Sequence, residues 1–249
     1  MKNSNFLKEM SWTNFEEKIR DTKLTIIPSG AFEVYGQHLP LGSDTLVAVK
    51  IAELIAERVD AIIGPTLEVG DSSMLDDFPG TISIKPENFK NYMEDVIQSL
   101  KKWGLKDFLF ISPHLGNVPM INQLSTELSK EEDIRCALVD FWRFIQNHDE
   151  GIIQSGELAH KHASEAGTSI MMYLYPHLCD MNAIQDENPR YIENFPDVIQ
   201  YKKFGDLTKS GTVGKATTAS YEKGELLVER TIKRIEQFLV EEWGYAKKL

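Results

Sequence analysis

Leu24-Thr25-Ile26-Ile27-Pro28-Ser29-Gly30 is a short apolar run that ends on a turn-forming pair. Fourteen residues on, Asp44 opens a stretch whose apolar residues Val47, Ile51, Leu54 and Ile55 recur at helical spacing. The first run reads as a strand, the second as an amphipathic helix capped by Asp44. The same unit returns along the chain. Ala61-Ile62-Ile63-Gly64-Pro65 reads as a second strand and Thr81-Ile82-Ser83-Ile84 as a short third. Pro86 sits near the first turn of a helix with Phe89, Met93, Val96, Ile97 and Leu100 on one face. Phe108-Leu109-Phe110-Ile111 is wholly apolar, as a central parallel strand must be when both its faces are covered. A helix is expected after Asn117, a strand through Ala137-Leu138-Val139, and helices over Glu165 to Leu174 and from Tyr221 to about Trp243. This alternation specifies an α/β fold, a three-layer α/β/α single domain over 1–249 with a largely parallel central sheet. Residues 180–220, rich in Asn, Asp, Pro, Gly and Thr, read as loops with an edge hairpin, placed to form a lid.

Composition narrows the function. The 249 residues are 42% hydrophobic and 26% charged, the balance of a water-soluble globular chain. Lys and Arg number 27 against 38 Asp and Glu, a formal net charge of −11, which repels phosphate backbones and anionic headgroups. Nucleic-acid and membrane-surface partners are therefore not expected, and no apolar run is long enough to span a bilayer. Met1 to Met10 lack the apolar region of a secretory signal, so a cytoplasmic location is expected. Cys136 and Cys179 form no C-x-x-C pair, and Cys136 reads as a small buried hydrophobe.

The chemistry collects in three segments. Glu33-Val34-Tyr35-Gly36-Gln37-His38-Leu39-Pro40-Leu41-Gly42-Ser43-Asp44 lies just past the carboxyl end of the first strand, where open α/β sheets bind ligands. Glu33, His38 and Asp44 are potential metal ligands within it. Ser112-Pro113-His114-Leu115-Gly116-Asn117 closes the central strand and brings His114 to the same rim, with Asn117 able to cap the next helix. Glu157-Leu158-Ala159-His160-Lys161-His162-Ala163-Ser164-Glu165-Ala166-Gly167-Thr168-Ser169 packs two histidines and two glutamates into thirteen residues. His162 and Glu165, three apart, share a face if helical. Trp142, beyond the strand that ends near Val139, is either ordinary packing or a stacking surface for a planar substrate.

These segments, in this order, resemble the creatininase family of metal-dependent amidohydrolases. The family pattern runs roughly G-S-x-E-x-H-G-x-H-L-P-x-x-T-D, N-G-H-G-G-N and H-A-G-E-x-E-T-S. This chain has S-G-A-F-E-V-Y-G-Q-H-L-P-L-G-S-D, S-P-H-L-G-N and H-A-S-E-A-G-T-S. Phe78-Pro79-Gly80-Thr81-Ile82-Ser83 and the tail through Gly211, Gly214 and Glu222-Lys223-Gly224-Glu225 also agree, so the likeness spans about residues 10 to 240. It implies Glu33, Asp44 and His114 as metal ligands, with Asp44 in the place of a carboxylate that bridges two metals. Two positions depart. Tyr35 stands where the family has the histidine of the second metal, and Gly167 where it has a late glutamate. Gly116 stands where creatininase itself carries the glutamate of an H-x-E motif.

The resemblance implies a divalent metal cofactor, with two carboxylates and an imidazole suiting Zn2+ or Mn2+ and Fe2+ as a further candidate. One tight site is expected; otherwise His38, His162 or Glu165 re-forms the second position. The implied reaction is attack of metal-activated water on the carbonyl of a small polar substrate, a cyclic amide or formamide. His162 or Glu165 would deliver the proton and Tyr35 would hydrogen-bond the oxyanion. Alternatives are ring-opening hydrolysis of a cyclic polyol ketone of the inosose type, and a non-catalytic small-molecule binder. The family further implies a homo-oligomer, a hexamer.

Overall fold

The computed structural model describes residues 4–191, 195, 197–198 and 200–248. Its centre is a four-stranded sheet, β1 Leu24–Pro28, β2 Ile62–Ile63, β3 Asp107–Ser112 and β4 Arg135–Asp140, in the order β2-β1-β3-β4 with every neighbour parallel. Parallel neighbours need crossovers, and helices supply them. The helices are α1 Trp12–Asp21, α2 Ser43–Arg58, α3 Pro86–Lys101, α4 Val118–Leu128, α5 Phe141–Gln146, α6 Glu165–Leu174, α7 Phe204–Leu207 and α8 Tyr221–Glu241.

Alternation along the strands builds two cores. Leu24, Ile26, Leu109 and Ile111 pack with α2, α6 and α8 on one face. Ile27, Phe108 and Phe110 point the other way, onto α3 and α4, with Phe15 and Ile19 of α1 at the edge. All six residues of β3 are buried, and each large apolar side chain so buried contributes about 1.5–3 kcal/mol. Helices therefore lie on both faces of a parallel sheet, the three-layer architecture the sequence implies. The strand order reverses between β1 and β3, so their carboxyl ends open a crevice between loops that diverge to opposite faces.

Several local expectations change. Thr81–Ile84 is not a strand. It is tied down by Ile82 N–H to the Phe32 carbonyl, an isolated antiparallel bridge, and by Ile84 N–H to the Gly70 carbonyl. The second strand shrinks to Ile62–Ile63. Among the described residues of 180–220 the expected edge hairpin is replaced by one antiparallel bridge, Glu187 to Gly214, and the short helix α7, with 192–194, 196 and 199 outside the described residues. Asp44 does not cap α2; Gly42 holds the cap position and Asp44 sits inside the first turn. Asn117 makes no capping bond to α4. Cys136 and Cys179 are free and half-buried, and burial pushes both thiols up to about 11. Among the described residues, no helix is long and apolar enough to cross a membrane.

Candidate metal centre

The loop after β1 delivers Glu33, the first turn of α2 delivers Asp44, and the turn after β3 delivers His114. One ligand atom from each lies within 4.8 Å of the others, and all three residues are buried. Among the described residues this is the group of acidic, histidine or cysteine side chains so gathered. Three polar groups at the crevice between β1 and β3 are what a doubly wound sheet needs to hold a ligand there.

The tautomer of His114 follows from its partners. Its Nε2 lies 2.7 Å from the Asp71 carbonyl oxygen, which can only accept, so Nε2 carries the proton. Nδ1 is left facing Glu33 Oε2 at 3.1 Å and Asp44 Oδ2 at 3.4 Å. Holding the far nitrogen on a carbonyl is how proteins aim a histidine at a metal. Gly116 makes room for this bond: a Cβ there would collide with both the Asp71 oxygen and His114 Nε2. Ser72 Oγ donates to Glu33 Oε2 at 2.7 Å, fixing the second ligand. Asn117, expected as a cap, is a clamp instead. Its amide donates to Ser29 Oγ and the Gly30 carbonyl while its oxygen accepts from Asp71 N–H, joining the β1 loop to the segment that orients His114.

Electrostatics show a site short of positive charge. Burial alone would lower the pKa of His114, but the carboxylates of Glu33 and Asp44 hold it well above its ordinary value. Burial lifts Asp44 to about 7, helped by the charge of Glu33. Glu33 is pushed up by burial too, and the neighbouring His114 brings it below its usual range. Asp44 Oδ1 is buried without any hydrogen-bond partner. An unpartnered buried carboxylate oxygen costs free energy, and a divalent cation would relieve it. The residues therefore fit a metal ion.

Above the three ligands lies a cavity of about 380 Å³, which Tyr35, Trp142 and His162 also line. His162 Nε2 donates to the Val34 carbonyl at 2.7 Å, so Nδ1 is the nitrogen left for chemistry. Burial lowers the pKa of this ring, which keeps it neutral. It packs between Tyr35, with centroids 4.6 Å apart, and Phe204 at 4.8 Å. Its neighbour Ala163 has φ +50°, a left-handed conformation that β-carbon-bearing residues adopt reluctantly and that turns the chain from His162 into α6. Tyr35 is buried, and burial together with the charges of Asp44 and Glu33 holds its phenol well above the ordinary range. A Cβ on Gly167 would lie 3.2 Å from Tyr35 Oη, so the phenol fills the space over that glycine.

Two sequence candidates lie elsewhere. His38 is not gathered with the three ligands. Its Nε2 lies 2.9 Å from Thr168 Oγ1, Nδ1 is buried without a partner, and burial lowers its pKa to about 4. Glu165 does not line the cavity. Wholly buried at the start of α6, it pairs with Lys223 Nζ at 2.5 Å and accepts from Ser155 N–H at 2.8 Å. This places it away from the cavity and paired with a cation. Asp71 and Ser72 carry no motif that would reveal them; Gly116 and Asn117 do lie in the second segment, yet their spatial roles have no local signature.

Known proteins share this sequence pattern and fold. The family model for creatininase, described as creatinine amidohydrolase, matches residues 8–239. Creatinine amidohydrolase of Pseudomonas putida is 28% identical over 98% of this chain and 99% of its own length. The mycofactocin precursor peptide peptidase of Mycolicibacterium smegmatis is 25% identical over 81% of this chain and 78% of its own. A solved structure of creatininase with Mn superposes with a TM-score of 0.84 at 26% identity, covering 96% of this chain and 98% of that one. Fold and site thus define a metal-dependent hydrolase. The chain belongs to the creatininase family, and with it to the metal-dependent amidohydrolases.

Proposed function

We propose that this chain uses one divalent ion, Mn2+ or Zn2+, to hydrolyse the C–N bond of an amide, either a cyclic amide or a formamide. The observation that carries this reading is the convergence of Glu33, Asp44 and His114 Nδ1 beneath an open cavity. When bound by these three groups, the ion polarises a carbonyl oxygen and lowers the pKa of water to about 7. The protein's own groups do the rest of the proton handling. His162 keeps its Nε2 proton on the Val34 carbonyl, so Nδ1 takes a proton from the attacking water and passes it to the leaving nitrogen. Tyr35 donates its phenolic hydrogen to the oxygen on which negative charge grows. Asp71 and Ser72 hold His114 and Glu33 in place through the cycle.

The restriction to one ion rests on Tyr35 and Gly167. At these two positions the chain departs from the family's second-metal histidine and its late glutamate, and they interlock: the phenol occupies the room over the glycine. A neutral phenol is a donor, not a ligand for a divalent ion. His38, on Thr168, does not re-form the second position. The test is chelation and reconstitution against a panel of lactams and formamides. Stripped protein should lose turnover and regain it with Mn2+ or Zn2+. Turnover that survives complete removal of metal would overturn the reading.

A further inference from the structure

The cavity has two unlike ends. At its floor stand Glu33, Asp44, His114 and the polar edges of Tyr35 and His162. Its walls are chiefly apolar, Met74, Leu75, Leu115, Trp142, Phe204 and Leu207 from four separate segments of the chain, with Asp71, His160 and Lys161 the polar side chains among them. Met74 and Leu75 come from the turn Ser73–Leu75, Leu115 from the turn after β3, Trp142 from α5, and Phe204 and Leu207 from α7. The aromatic rings are continuous. Tyr35 meets Trp142 at 6.2 Å and His162 at 4.6 Å, and His162 meets Phe204 at 4.8 Å. An aromatic surface therefore runs from the floor to the rim.

Such a wall has a definite preference. A polyhydroxylated or densely polar body would lose its hydration against these side chains and find few partners, at a cost for each unpaired hydroxyl. An apolar body would be favoured by the area it removes from water. Met74 and Leu115 are each 47% exposed, so about half of each is bare beside the site; a bound apolar group would cover part of that surface. The volume of about 380 Å³ lies within the range of small-ligand sites.

Resting on the amide-hydrolase reading above, we infer that the substrate is an amide whose body beyond the reacting carbonyl is apolar, an aryl or branched alkyl group lodged between Trp142 and α7. Specificity then resides in Phe204 and Leu207 as much as in the metal ligands, because only an apolar body reaches them.

The test uses hydroxamates, which chelate the ion with one head group and differ only in their bodies. Binding to the metal-loaded protein is measured by calorimetry for acetohydroxamate, phenylacetohydroxamate and gluconohydroxamate. Phenylacetohydroxamate should bind about 10- to 100-fold more tightly than acetohydroxamate, the effect of burying a phenyl ring. Phe204→Ala should lower that ratio at least threefold while leaving acetohydroxamate affinity unchanged, and Leu207→Ala gives the same comparison if Phe204→Ala does not fold. Equal affinity of the phenyl and methyl compounds overturns the inference and leaves the metal centre standing. Tightest binding of gluconohydroxamate overturns it in favour of a polar substrate. A phenyl preference untouched by both variants overturns the assignment of α7 as the wall. Failure of acetohydroxamate itself to bind strikes at the hydrolase reading beneath.

Discussion

Asp44 and Glu165 are both carboxylates sealed inside the protein, 2% and 0% exposed, and both occupy the first turn of a helix. They behave in opposite ways. Asp44 has an oxygen without a partner, and burial with the nearby charge of Glu33 raises it to about 7. Burial acts on Glu165 as well, but Lys223 and Ser155 overcome it and hold the group below its usual range. A buried acid whose demands are met by its neighbours pins the architecture, here α6 to α8. A buried acid whose demands are left open, beside a second acid and an aimed histidine, is waiting for a cation. The same residue chemistry divides into framework and site according to what the fold places around it.

Removing an element from the open cluster should have the largest effect. His114→Ala leaves two buried acids without the ligand between them, and tight ion binding should vanish while circular dichroism still reports the native fold. Retention of wild-type metal content in this variant would break the comparison. Next comes the proton carrier. His162→Ala should lower kcat by about 10²–10⁴-fold with metal content unchanged, since its interaction is made mainly in the transition state. Loss of the ion instead would recast His162 as a ligand.

Smaller effects sharpen the same contrast. Gly116→Ala drives a methyl group against the Asp71 carbonyl and His114 Nε2, so ion affinity should fall about 10- to 100-fold by competition titration, as for other losses of a ligand's outer partner. At the satisfied acid, Glu165→Gln should cost about 1–3 kcal/mol in denaturant unfolding. Its kcat at a temperature where the variant is folded should match the wild type. A drop in kcat without loss of stability would return Glu165 to the chemistry.

The sequence made the layers of the fold legible because the continuous apolar runs of β1 and β3 and the helical spacing on α2, α3 and α8 are local signals. It marked the group that could hold an ion for a related reason: Glu33, Asp44 and His114 lie just beyond strand ends, and strand ends in a doubly wound sheet are where ligands bind. It misread Thr81–Ile84, whose apolar alternation is real but whose backbone is spent on Phe32 and Gly70 and not on a neighbouring strand. It gave no sign of the partner that satisfies Glu165, because Lys223 lies 58 positions away. Asp71 escaped altogether because it acts through a backbone carbonyl, which every residue possesses. The interlock of Tyr35 with Gly167 was visible only as two separate departures; their contact is a tertiary fact.

The central claim is that one ion, not two, occupies this crevice, with Tyr35 filling the place of the second. The measurement is elemental analysis of the purified protein after saturation with Mn2+ or Zn2+ and exhaustive dialysis. The account predicts one equivalent per chain, lost in His114→Ala. Two equivalents per chain would contradict it.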